Sequence, residues 1–414
     1  MNEMKNEHRV TFVCRSGREA ERRLGTRLER LQQEGLAVQV IAGDDEGLRR
    51  LAAKGVATTR IPVTGASNPA GWGATHVIIQ GALLESRPLL VHAWGHRLGV
   101  SAVEAARRAG VPATVVTMEY HWLEEDPLVL PVGPRLRRGM PLLGKAERGL
   151  NKVVSPSFCR GMQGMYRRLA QEVSRYVVST EFDRRLLLDL EVVDAEKLVL
   201  AEGGEGVVRA GPTEPDEAER VRDALGCPNH WRRFVGVVGP ISRRHGSETL
   251  LWMIRKMRKA FPSLGWIVVP REDSQRAEVR ALKRWEKRGW VKVVEEETAV
   301  VDPFRALEIL VWVGSPSTPV DPILEAARVS VPTVGYETPA ARAVVDPAPG
   351  QALVLEGDRG RLMAQLTGML RDSDRRGRAG RSALEESRAR FGREEIDERF
   401  LQLYDEVLRE ELTQ

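Results

Sequence analysis

The chain is poor in cysteine, in net charge and in long apolar runs. Only 3 of its 414 residues are Cys, and Cys14, Cys159 and Cys227 lie far apart with no C-x-x-C spacing. A disulfide framework and a zinc site are both unexpected, and the thiols read as buried and free. No uninterrupted apolar stretch approaches the ~18 residues of a membrane span. The start, MNEMKNEHRVTFVC, lacks the apolar core and small-residue cleavage site of a secretory signal, so a cytoplasmic protein is expected. Against 58 Asp and Glu stand 63 Lys and Arg, a net charge of +5 that is too small at this length to signal nucleic acid by itself. Neither G-x-x-x-x-G-K-[ST] nor G-x-G-x-x-G occurs, which leaves ATP and dinucleotide readings without their phosphate loops.

What the chain does have is alternation of strand and helix. RVTFVC (9–14) and AVQVIA (37–42) are β-rich runs flanking a helical segment that ends in Gly, and LLVHAW, VSAVEAARRAG and PATVVTM repeat the unit. Continuous apolar strands of this kind belong to parallel sheets covered on both faces. A later helix is expected to open at Ser179 or Thr180 as N-cap. Residues 207–232 lose the strand signal and gather Pro, Gly and acids, as an interdomain connection with a short helix would. A second set then starts at FVGVVG (234–239) and runs through GWIVVP, VKVVE, ALEILVWVG and VPTVGY. The expected organisation is a first α/β domain over 1–206, a linker over 207–232, a second α/β domain over 233–395 and a closing helix over 396–414. Both domains read as Rossmann-like and doubly wound, facing a central cleft where ligands bind beyond the strands' carboxyl ends.

Residues 127–175 interrupt the first domain with ten Lys or Arg and two acids, interleaved with residues such as Leu128, Leu136, Met140 and Leu143. Two readings stay open for this insert: a solvated surface loop, or a segment lying peripherally on an anionic bilayer at the inner face of the membrane. No nucleic-acid-binding module signature occurs, and no nucleic acid partner is expected.

From FVGVVGPISRRHGSETLLWMI onward, the chain resembles the donor-binding half of GT-B glycosyltransferases, specifically the retaining family 4 group. D-x-F-R-A-L-E-I-L-V-W-V-G-S-P-S, P-I-L-E-A-A-R-V-S-V-P-T-V and the closing helices follow in the family's order. LVHAWGHRLG, AGVPATVVTMEYH and YVVSTEFDRRLLL are similar to its acceptor-side landmarks. The resemblance implies a transferase that moves a sugar, with retention, from a nucleotide-diphosphate sugar to a glycan or lipid-linked acceptor. It implies no cofactor and no metal.

By that resemblance Glu325 binds the donor ribose, and Arg243, Arg244, His245, Ser317 and Thr318 lie on the donor side. The diphosphate needs cations and helix N-terminal amides. Yet the family's Arg and Lys positions hold Pro240 and His245, its sugar-contacting acid is Ser317, its paired glycines are Pro339 and Ala340, and its later Glu is Ala343. On the acceptor side Gly17 matches the family's glycine-rich turn, with amides facing the donor phosphate. His92, Trp94, His96 and His121 border the acceptor, and the His92/His96 spacing lacks the further ligand a metal would need. The departures leave a second reading, a catalytically degenerate GT-B protein that binds a glycan, a membrane or a partner.

Overall fold

The computed structural model describes residues 9–43, 46–62, 69–118, 171–189, 193–201, 211–243, 245–271, 274–295, 302–314, 318–345 and 352–413. Two compact units emerge, Met1–Val207 with Arg393–Gln414, and Val208–Gly392.

The first unit holds strands β1 (Arg9–Val13), β2 (Ala37–Gly43), β3 (Ala57–Ile61), β4 (Leu90–Trp94), β5 (Ala113–Met118), β6 (Arg175–Val178) and β7 (Leu198–Leu200). They form one parallel sheet in the order β3-β2-β1-β4-β5-β6-β7. The helices are α1 (Gly17–Gln33), α2 (Glu46–Ala53), α3 (Pro69–Ser86), α4 (His96–Ala109) and α5 (Glu181–Asp189). Alternate strand residues serve the two faces: Val10, Phe12 and Leu90 pack with α1 and α2, whereas Val13, Val91 and Ala93 pack with α3 and α4. Thr180 caps α5, its Oγ1 accepting from Asp183 N–H at 3.0 Å. Gly110, at φ 70, closes α4 in the left-handed conformation that glycine adopts without strain.

The second unit holds β8 (Arg233–Gly239), β9 (Leu264–Pro270), β10 (Val291–Val293), β11 (Ile309–Trp312), β12 (Thr333–Glu337) and β13 (Ala352–Leu355), parallel throughout, in the order β10-β9-β8-β11-β12-β13. Its helices are α6 (Pro215–Ala224), α7 (Ser247–Ala260), α8 (Arg276–Glu286), α9 (Asp321–Arg328), α10 (Pro339–Val344), α11 (Arg359–Arg371) and α12 (Ser373–Phe391). One sheet face packs on α7, α8 and α11 through Leu250, Met253, Leu282 and Leu366. The other packs on α6, α9 and α10 through Val221, Ile323, Leu324 and Ala341. Residues 211–232, read from the sequence as a connection, are part of this core, with Val221, Leu225 and Trp231 buried.

The last helix, α13 (Arg393–Thr413), packs on the first unit. Ile396, Phe400, Leu403, Tyr404 and Val407 join the cluster of Val10, Phe12 and Trp94, and Arg27 Nε bonds Asp397 Oδ1 at 3.1 Å. Cys14 is buried, burial pushes the half-buried Cys227 thiol up to about 11, and neither is in a disulfide. Among the described residues no helix is long and apolar enough to cross a membrane.

Candidate functional site

In the second unit the chain order reverses between β8 and β11, and an open α/β sheet takes its ligand at that switch point, beyond the carboxyl ends of the strands. Three short segments meet there. The turn after β8 starts at Gly239 and ends at Gly246, at φ 80, where an added Cβ would lie 2.0 Å from Val313 O. Only glycine fits so close to the end of β11, and this pins the start of α7 at the switch point. Gly246 is also the N-cap of α7 and makes no side-chain cap bond.

The second segment begins with Arg271, the first residue after β9. Its N–H bonds Gly239 O at 3.0 Å, while Ser274 Oγ donates to Arg271 O at 2.6 Å and accepts from Ile241 N–H at 2.9 Å. The loops after β8 and β9 are thereby stitched together. Ile267 and Val269 face the layer that holds α9, and Arg271 follows them in the same alternation. The guanidinium reaches past β8 to the third segment, α9, where Nη2 donates to Glu325 Oε2 at 2.6 Å. Both partners are largely removed from solvent, with side-chain exposures of 12% and 2%. Phe304 lies 6.0 Å from the same guanidinium. Burial pushes the nearby Asp302 carboxyl up, against the opposing pull of the Phe304 N–H and the Arg305 and Arg271 charges.

Glu325 and Arg271 are thus brought together, and Arg271 is the residue that sequence reasoning missed. It stands in no motif of the sequence. His245 itself is 7% exposed, with Nδ1 2.7 Å from Ser242 Oγ, so its ring braces the turn. Arg243 projects into solvent with 78% of its side chain exposed and Nε 3.9 Å from Glu278 Oε1. Thr318 is buried against Gly314, whose added Cβ would fall 2.5 Å from Thr318 Cβ. Pro339 stands at the start of α10, capped by Thr338 Oγ1 accepting from Ala341 N–H at 3.2 Å. A proline at a first helical turn loses no hydrogen bond, which is why the replacement of the expected glycine pair is accommodated. Arg244 and Ser317 lie outside the described residues.

The first unit departs from expectation. Gly17 opens α1, but Ser16 Oγ accepts from Glu19 N–H at 3.0 Å and Glu19 Oε2 accepts from Arg15 N–H at 3.0 Å. A carboxylate already occupies the positive end of the helix, and an added Cβ on Gly47 of α2 would lie 2.4 Å from Arg18 N, so α2 presses directly on this turn. His92 and Trp94, expected to border the acceptor, are 0% and 1% exposed. His92 Nδ1 lies 2.6 Å from Tyr404 Oη of α13 and Nε2 lies 2.7 Å from Thr117 Oγ1, with the Trp94 ring stacked 3.8 Å away. Burial, and secondarily the Arg27 charge, hold this imidazole well below its ordinary value and therefore neutral. These two residues are core, covered by a helix that arrives from the far end of the chain. His96 begins α4, but its side chain, like His121, lies outside the described residues, as do 127–170 of the basic insert.

Residues 3–204 match the glycosyl transferase 4-like domain. No curated protein matches the chain. Among solved structures it is similar to the Anabaena protein Alr3699/HepE in complex with UDP-glucose, at 15% identity and a TM-score of 0.70, with 96% of this chain and 99% of that one covered. It is also similar to a glycosyltransferase from Rickettsia africae ESF-5, at 12% identity and a TM-score of 0.68 over 97% and 99% of the chains. Sucrose-phosphate synthase from Thermosynechococcus elongatus, at 14% identity and a TM-score of 0.69, covers the same shares. Residues 3–204 are thus a glycosyl transferase 4-like domain, and the chain's two parallel sheets have the GT-B fold of the glycosyltransferase structures it resembles.

Proposed function

We propose that the protein transfers a hexose, with retention, from a nucleotide-diphosphate sugar to a glycan or lipid-linked acceptor. The observation that carries this reading is Glu325, which stands on α9 beside the switch point with Arg271 bound to it at 2.6 Å. Glu325 accepts the ribose hydroxyls. Arg271 supplies the positive charge that Pro240 and His245 do not, and turns from Glu325 toward the phosphates as the ribose takes its place. The start of α7, with a glycine cap, adds amide dipoles for the same anion. Catalysis is then positioning of the donor and stabilisation of the leaving diphosphate, whose oxygen assists the incoming hydroxyl on the same face. The UDP-glucose held by the Anabaena protein makes a UDP-hexose the first donor to test.

A second reading, a GT-B protein that binds without transferring, is favoured by His245 being bonded into its own turn through Ser242. Calorimetric titration with UDP, GDP and their hexose conjugates separates the two. Micromolar binding of one diphosphate, lost in Glu325→Ala, supports transfer, and the anomeric configuration of the product by NMR then tests retention. No nucleotide binding by the folded protein overturns transfer and leaves the binder.

A further inference from the structure

The amino-terminal rim of the second unit, opposite Arg271 and Glu325, carries a feature that sugar transfer does not use. Strands β9 and β10 run side by side, Val291 pairing with Trp266, so the turns leading into them are neighbours. Each turn holds a half-buried aromatic ring, Phe261 in one and Trp290 in the other. Exposed cations surround both. Arg258 Cζ lies 3.9 Å and Arg288 Cζ 5.4 Å from the Trp290 centroid, and Arg371 Cζ lies 5.8 Å from that of Phe261. Lys259 and Lys287 flank them, and none of these five is in ion-pair contact with any described carboxylate. Residues 247–293 hold twelve Lys or Arg against five Asp or Glu, an excess greater than the +5 of the whole chain.

Helix dipoles favour a cation at the ends of α7, α8 and α11. They do not call for two aromatic rings at the same rim, and the nearby acids, Glu286, Asp372 and Asp374, make no ion pair with these five cations. We propose that this rim docks on an anionic lipid bilayer, with Phe261 and Trp290 at headgroup depth and Arg258, Lys259, Lys287, Arg288 and Arg371 on lipid phosphates. Amphipathic rings flanked by basic side chains suit the interface between headgroups and acyl chains. Single-stranded nucleic acid fits less well, because guanidiniums already cover the Trp290 ring on which a base would stack. Docking at the amino ends of the strands leaves the carboxyl ends, with Glu325 and Arg271, open to donor.

The test is vesicle flotation of the full-length protein, with pure phosphatidylcholine and with phosphatidylcholine mixed with phosphatidylglycerol. The protein is expected to float with the anionic vesicles only, and less so as salt is raised. Arg258→Glu/Arg288→Glu should lower the partition coefficient about 100-fold or more, since each surface cation contributes roughly a factor of five to ten. Lys259→Glu/Lys287→Glu, whose side chains make no ring contact, should lower it comparably with an unchanged melting temperature. The proposal is overturned by absence of flotation or by equal flotation with neutral lipid. It is equally overturned by loss on Arg137→Glu/Arg138→Glu in the basic insert without loss in the rim variants, or by release of the protein to a competing DNA oligonucleotide.

Discussion

Arg271 and Glu325, 54 residues apart in the chain, share a hydrogen-bonded ion pair of 2.6 Å beside the end of β8. Breaking one side of so dry a pair should cost more than removing both. Arg271→Met is expected to destabilise the protein by about 3 kcal/mol, because it takes a cation away from a buried carboxylate, whereas Arg271→Met/Glu325→Gln should lose clearly less. Thermal unfolding of the two single variants and the double variant gives the coupling directly. Strictly additive losses would mean that the pair contributes nothing.

The same pair predicts a graded response to ligand. If Arg271 meets the donor phosphates, Arg271→Lys should bind UDP within about tenfold of wild type, since a charge is kept but the planar fork is lost. Arg271→Gln should bind UDP on the order of 10²-fold more weakly while uridine binding changes little. Titrations with uridine, UMP and UDP measure this; equal losses for all three ligands would place Arg271 away from the phosphates.

His92 makes a pH-dependent contribution with a defined sign. Its pKa in the folded protein is well below the ordinary value of 6.5, so below pH 6.5 the unfolded chain binds a proton that the folded one refuses. Its contribution is complete above that pH and is lost as pH falls, with a slope of at most about 1.4 kcal/mol per pH unit. Melting temperatures at pH 5 and pH 7.5, in wild type and in His92→Gln, should show a smaller drop in the variant. An equal drop in both would remove His92 from the account. Tyr404→Phe leaves the His92 Nδ1 side unpaired in the core and should cost about 1 to 3 kcal/mol.

Two glycines of similar φ should respond differently to alanine. Gly246, at φ 80, faces Val313 O at 2.0 Å, and Gly246→Ala should cost more than about 2 kcal/mol and disturb nucleotide binding by moving the start of α7. Gly55, at φ 82, has nothing within 4 Å of an added Cβ, so Gly55→Ala should cost only about 1 kcal/mol of backbone strain. Denaturant midpoints distinguish them, and equal losses would show that the approach of the two segments is not tight.

The amino-acid sequence determined the two α/β units, because buried parallel strands such as FVGVVG and ATVVTM are continuous apolar runs whose identity is local. It hid β3, where ATTRI lies at the sheet edge with little buried apolar surface, and α3, where glycines and apolar residues blur the helical period. The helix start that carries Glu325 was legible from its flanks. The pairing of Glu325 with Arg271 was not, since it arises only when β9 and α9 are set on either side of β8. The sequence placed His92 and Trp94 at a strand end, and strand ends of this fold border ligand. Only the tertiary structure showed them sealed, because what covers them is α13, with Tyr404 reaching His92 from 312 residues away. Local pattern decides which segments become strands and helices; packing between distant segments decides which of their polar side chains meet solvent and which meet each other.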